Sequence, residues 1–194
     1  MELDIINYLQ HRNFDYVKIT DAHSLALIYK LLIDDIKDEN NVKDPIIYLY
    51  YGVYHQVNNN EIEMIKYYQL AIDHGIYTAI RNLGNYYYNI KDHQQMIHYW
   101  LMAIEYGNFG GAHDLGAYYS EIKDYEQMKK YYLISIEHGN VVSMNNLAVY
   151  YQDIGNNELM IKYYQMAIDR GYTISMKHLG YYYQYNRDYD LMKK

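Results

Sequence analysis

Apolar residues recur along this chain at steps of three and four, and the pattern itself recurs every 32 residues. Ala79, Leu83, Tyr86, Tyr87 and Ile90 fall on one helical stripe. After a short break, Met96, Tyr99, Trp100, Ala103 and Ile104 form a second. The same columns return without insertion. Gly75, Gly107, Gly139 and Gly171 keep the step, as do Met64, Met96, Met128, Met160 and Met192. So do Leu83, Leu115, Leu147 and Leu179, and the pairs Tyr86-Tyr87, Tyr118-Tyr119, Tyr150-Tyr151 and Tyr182-Tyr183. A fixed period of this length marks an array of stacked helical hairpins.

The punctuation agrees. Asn60, Asp92 and Asp124 each precede a Glu or Gln by three residues, a variant of the capping box that starts the second helix of a hairpin. The glycine column ends that helix, where a left-handed residue costs glycine least. The spacing predicts helices near 61–73, 76–90, 93–106, 108–122, 125–138, 140–154, 157–170 and 172–185, and no strand. Gly84, Gly116, Ala148 and Gly180 stand in mid-helix, where glycine costs about 1 kcal/mol relative to alanine. Three such glycines in one column predict close approach of the paired helix. Ala71, Ala103, Ser135 and Ala167 are the matching small positions on the second helices. The acids Asp73, Glu105, Glu137 and Asp169 occupy the last turn, where the helix dipole disfavours them.

Register fails near the N-terminus. Asp44-Pro45 starts a helix, and Tyr48, Tyr51, Gly52 and Tyr54 echo a first helix, so 44–60 reads as a half-unit opening the array 44–194. Residues 1–43 lack the glycine and alanine columns and read as an N-terminal helical cap.

The unit AIRNLGNYYYNIKDHQQMIHYWLMAIEYGN over 79–108 resembles the tetratricopeptide superfamily, and most closely its Sel-one-like repeat branch. Leu83-Gly84-x-x-Tyr87 matches the first helix of that pattern, Met96 replaces its usual alanine, and Trp100 and Ala103 take the aromatic and second alanine positions. The period is shorter than the usual repeat, and the G-x-G loop of the Sel-one-like branch is missing. The resemblance implies an all-α, right-handed superhelical solenoid of helix-turn-helix repeats. It also implies a non-enzymatic scaffold for protein–protein interaction, with ligands lying along the first helices. The proline-poor, Asn/Ile/Tyr/Lys-rich style resembles repeat proteins of AT-rich genomes, including giant DNA viruses.

Composition narrows the function further. Of the 194 residues 51% are hydrophobic, but that figure includes 30 tyrosines. Without them the apolar share is roughly a third, below an ordinary globular domain, so the core must be built largely of tyrosine. Net charge −7 argues against nucleic acid, and the tyrosine stripes are spaced for a core rather than for stacking bases. The longest apolar run, Leu25 to Ile33, is too short for a membrane span of about 20 residues. No targeting signal opens the chain. With no cysteine, a reducing compartment is expected: the cytoplasm, or the host cytoplasm of a viral protein.

Nothing in the motifs points to catalysis, a cofactor or a metal. His93 and His98 are five apart and face different ways, and His74 and His138 lie two repeats apart. Carried over by register, the peptide-binding face comprises Arg81, His113, Asn145 and Lys177, then Asn82, Asp114, Asn146 and His178, then Asn85 and Tyr181, with Ala117 and Val149 in the last column. Amide side chains there can bond both a peptide N–H and a C=O, which suits capture of an extended chain or a helix. A carboxylate clamp is not supported, because Asp114, Val142 and Asn146 stand where it needs other residues. The alternative is self-assembly. The final second helix starts at Asp188 and stops at Lys194, so Tyr182, Tyr183, Tyr185 and Met192 are expected to leave an apolar end face that pairs with a second copy as a homodimer.

Overall fold

A computed structural model of the chain describes residues 45–185, and among these residues there are helices and turns but no strand. The helices are α1 (Ile46–Val57), α2 (Glu61–Asp73), α3 (Thr78–Asn89), α4 (His93–Glu105), α5 (Gly110–Glu121), α6 (Tyr125–Glu137), α7 (Val141–Asp153), α8 (Asn157–Ile168) and α9 (Thr173–Tyr185). Every expected helix within this span is present, with ends shifted by two residues at most. α1 begins one residue after Pro45 rather than on it. The cap expected over 1–43 and the short helix from Asp188 lie outside the described residues. The chain divides between Asn108 and Phe109 into two compact units, each with its own core. In the first, α1 pairs with α2, α3 with α4, and α2 packs on α3. In the second, α5 pairs with α6 and α7 with α8, while α6 packs on α7 and α8 on α9.

One turn is used twice in every repeat. After each second helix, the left-handed glycine (φ +84° at Gly75) donates to the carbonyl three back, and the next residue donates to the carbonyl five back. Gly75–Ile72 and Ile76–Ala71 form the first such pair, at 2.9 and 2.8 Å, and Gly171–Ile168 with Tyr172–Ala167 the last. This is a Schellman closure, and it satisfies carbonyls that a helix end leaves open. The same closure ends the first helices, where the left-handed residues are Asn59, Lys91, Lys123 and Gly155. The residue that follows is at once the last of the turn and the cap of the next helix. Asn60, Asp92, Asp124 and Asn156 accept from the backbone N–H groups of Glu63, Gln95, Gln127 and Leu159. The expected reciprocal arm of the capping box is not needed. The cap residue's own N–H is already spent, as in Asp92 to Tyr87 O at 2.9 Å.

The mid-helix glycines make room for a ring. A Cβ at Gly52, Gly84 or Gly116 would overlap the ring of Tyr68, Trp100 or Tyr132, the aromatic residue sixteen positions on in the paired helix. A Cβ at Gly180 would meet no atom within 4 Å. Around each ring sit a fully buried methionine and the small-residue column: Met64 with Ala71, Met96 with Ala103, Met160 with Ala167. Ser135 fills the same slot in α6 with a buried hydroxyl that has no hydrogen-bond partner. Further along each hairpin, near-parallel aromatic pairs join the helices: Tyr87–Tyr99 at 5.4 Å, Tyr119–Tyr131 at 5.5 Å and Tyr151–Tyr163 at 5.7 Å. His55 takes the tyrosine's place against Tyr67 in α1, and burial holds its imidazole below the ordinary value. Such pairs are each worth about 0.5–1.5 kcal/mol beyond the area they bury.

Two sequence expectations change. Ile90 is half exposed rather than on the core stripe, because the left-handed Lys91 turns the chain away just after it. Ile80, absent from the expected stripe, is fully buried in its stead. The misplaced acids acquire a local reason. Asp73 and Asp169 accept from Gln69 and Gln165, one turn earlier, at 2.9 and 2.7 Å.

Three outcomes follow from this core. Gly116→Leu should cost about 3 kcal/mol by urea unfolding, since the Tyr132 ring has no free space to yield, whereas Gln94→Leu on the exposed face of α4 should stay within about 0.5 kcal/mol. A Gly116→Leu midpoint equal to the parent's would rule out the packing described. Lys123→Gly should gain about 1 kcal/mol by relieving a left-handed lysine. Burial also raises the phenol of Tyr164, to about 12. An unfolded chain sheds phenol protons from about pH 10, so it binds fewer protons than the folded one. The stabilisation is therefore complete below about pH 10 and drains away up to about 12. Urea midpoints that hold constant across that window would contradict it.

Candidate functional site

The expected binding columns lie on the first helices α3, α5, α7 and α9, each column on one side of the buried leucine. Their side chains are neither idle nor merely solvated. Most are tied to the ring column of the core. A buried tyrosine or tryptophan keeps its polar tip satisfied by reaching a hydrogen-bond partner, and here the partners are amides of this face. In the first unit, Trp100 Nε1 donates to Asn85 Oδ1 at 2.9 Å, and the Tyr68 hydroxyl donates to Gln56 Oε1 at 2.6 Å. Burial pushes the Tyr68 phenol well above its usual value, and a hydrogen bond with the Asn82 side chain pulls it part of the way back. In the second unit, Tyr164 donates to Gln152 Oε1 at 2.9 Å, while Asn146 Nδ2 donates to the Tyr132 hydroxyl at 3.3 Å. Burial raises the Tyr132 phenol, Asn146 lowers it and Asp114 adds a smaller rise.

A second ladder runs between neighbouring first helices of the second unit. Ser175 Oγ donates to Asn145 Oδ1 at 3.0 Å, and His113 Nδ1 lies 2.9 Å from Ser143 Oγ. Each bond spans thirty residues, one repeat less two. The column that begins at Arg81 is thus mostly structural: Arg81 and Asn145 are each only 6% exposed. Lys177, at the same register in α9, is exposed. His178 sits edge-on to Tyr164 at 5.6 Å, with its Nδ1 buried and unpartnered. Tyr181 is 69% exposed.

Gln56 and Gln152 share a column that the sequence reading left out. Its signal was present. Each glutamine stands twelve residues before a core tyrosine and the two occupy the same register. Gln152 also lines a cleft of about 530 Å³ with Tyr181, Tyr182, Gln184 and Tyr185. Of the residues expected at an end face, Tyr182 and Tyr183 pack against the core of the second unit, Tyr185 is 89% exposed, and Met192 is outside the described residues. Among the described residues no three acids or histidines are grouped to hold a metal ion, and no helix is long and apolar enough to cross a membrane.

No protein-family model matches the sequence, and no curated protein matches it. Solved structures share its fold. The Sel1 repeat protein from Oxalobacter formigenes superposes with a TM-score of 0.55 at 19% identity, over 91% of this chain and 88% of that one. MamA superposes with a TM-score of 0.51 at 16% identity, over 79% of this chain and 95% of its own. At such identities the likeness is one of backbone architecture: the chain has the all-α helical-hairpin repeat fold found in a Sel1 repeat protein.

Proposed function

We propose that this protein is a non-enzymatic interaction scaffold that holds an extended peptide against the polar faces of its first helices. One observation carries the reading. The amides of those faces are anchored from below by buried aromatic residues, as Trp100 anchors Asn85 and Tyr164 anchors Gln152. Side chains already fixed in orientation lose little entropy when a ligand engages them. Tyr181 stands exposed beside Gln152, and Lys177 is exposed on the same helix as Tyr181; both would add contacts of different chemistry. The groups best suited to contact a partner are therefore Asn85, Gln152, Asp114, Lys177, His178 and Tyr181. Arg81, Asn82, Asn145 and Asn146 hold the face in shape.

This division redirects the obvious mutational test. Replacing Asn145 by alanine would strand the buried Ser175 hydroxyl and lower stability, so loss of binding there would be ambiguous. Lys177→Glu combined with Tyr181→Ala alters exposed groups alone. Extended peptides selected from a random display library should shift the side-chain amide NMR signals of Asn85 or Gln152, and the double variant should bind them about tenfold more weakly or worse. Signals moving only on the outer faces of α2, α4, α6 and α8 would place the working surface elsewhere.

A further inference from the structure

The orientation of the anchored amides goes further than a general affinity for peptides. Indole N–H can only donate, so Trp100 obliges Asn85 to turn its oxygen inward and its NH₂ outward. The Tyr164 hydroxyl, donating to Gln152 Oε1, orients Gln152 in the same sense. These two amides thus turn a donor outward while their oxygen is engaged from within. Gln152 alone of the two lines a cleft, which it shares with Tyr181, Tyr182, Gln184 and Tyr185. Building on the reading of a peptide-holding face, we infer that this cleft takes a proline-rich segment in the polyproline II conformation.

Four considerations select that occupant. A polyproline II chain has no internal hydrogen bonds and projects its carbonyl oxygens outward, while proline itself has no N–H to satisfy. Its carbonyls therefore suit the outward NH₂ of Gln152, and its apolar rings suit the tyrosines around it. A helical ligand consumes its carbonyls internally and has no such acceptors to give. Charge excludes a third class. None of the residues lining the cleft is charged, so it offers no cation to hold a phosphate or carboxylate. Spacing supports the same choice. Tyr181 and Tyr185 are four apart in α9, a separation of roughly 6 Å along the helix axis. Two residues of polyproline II rise by about the same distance, so a proline ring can pack beside each tyrosine.

The test uses the full chain and three fluorescent decapeptides: all proline, alternating Gly-Ser, and an alanine-lysine helix former. Polyproline should bind at least about tenfold more tightly than either of the others. Gln152→Glu retains an acceptor for the Tyr164 hydroxyl but replaces the outward NH₂ by a carboxylate oxygen, and it should lose that advantage. Tyr181→Ser, at a mostly exposed site, should lose it too, and it serves as the decisive variant if Gln152→Glu fails to fold. Equal binding of polyproline and Gly-Ser, or polyproline binding unaffected by Tyr181→Ser, overturns the inference while leaving a general peptide scaffold intact. If the protein binds none of these peptides, nor any display-selected one, both readings fall together.

Discussion

Three of these hairpins depend on an aromatic ring lying against helix backbone that has no side chain. Tyr68, Trp100 and Tyr132 each need the glycine sixteen residues earlier, because a single added carbon would enter the ring. That contact sets how near the two helices of a hairpin come, and it explains why a costly glycine recurs in mid-helix. It also determines what happens on the far side of the first helix. The rings used here carry a hydroxyl or an N–H, and that group emerges among the first-helix side chains. The amides gathered there are a consequence of the core. Fold and candidate surface are two sides of one packing decision.

Tyrosine makes this economy workable in a chain with few aliphatic residues. Its ring fills volume as phenylalanine would, and its hydroxyl can either donate, as from Tyr164 to Gln152, or accept, as from Asn146 to Tyr132. A core of this kind has directional bonds at its margin, so adjacent repeats are aligned by hydrogen bonds as well as by shape. Among the described residues, the buried hydroxyl of Ser135 has no such partner.

The helices, their pairing and the mid-helix close approach could be read from the sequence because they rest on local period and on residues with strong conformational preferences. The glycine turns were equally plain. The left-handed Lys91 and Lys123 were not, since lysine gives no sign of such a backbone; only Asn59 and Gly155 in the same column hinted at it. The face was half legible. Register placed Asn82, Asn85, Asn145 and Asn146 on it, yet an asparagine's use depends on partners 14, 15 or 30 residues away. Counting amides suggested a surface waiting for a ligand. Geometry assigns several of them to the protein itself, and it adds Gln56 and Gln152.

The doubled turn has a genetic corollary. Both connections in a repeat are closed by the same two backbone hydrogen bonds, and the residue completing one closure caps the next helix. In the loop after each first helix no residue is spare. Inserting or deleting one would swing the following helix by about 100° about its axis and carry its rings out of the core. A filter against single-residue length changes is therefore expected, whereas adding or removing a whole 32-residue hairpin would leave every closure as it was. An ungapped spacing of 32 is the trace such a filter leaves. Array length becomes the quantity free to drift, and the number of presented faces drifts with it.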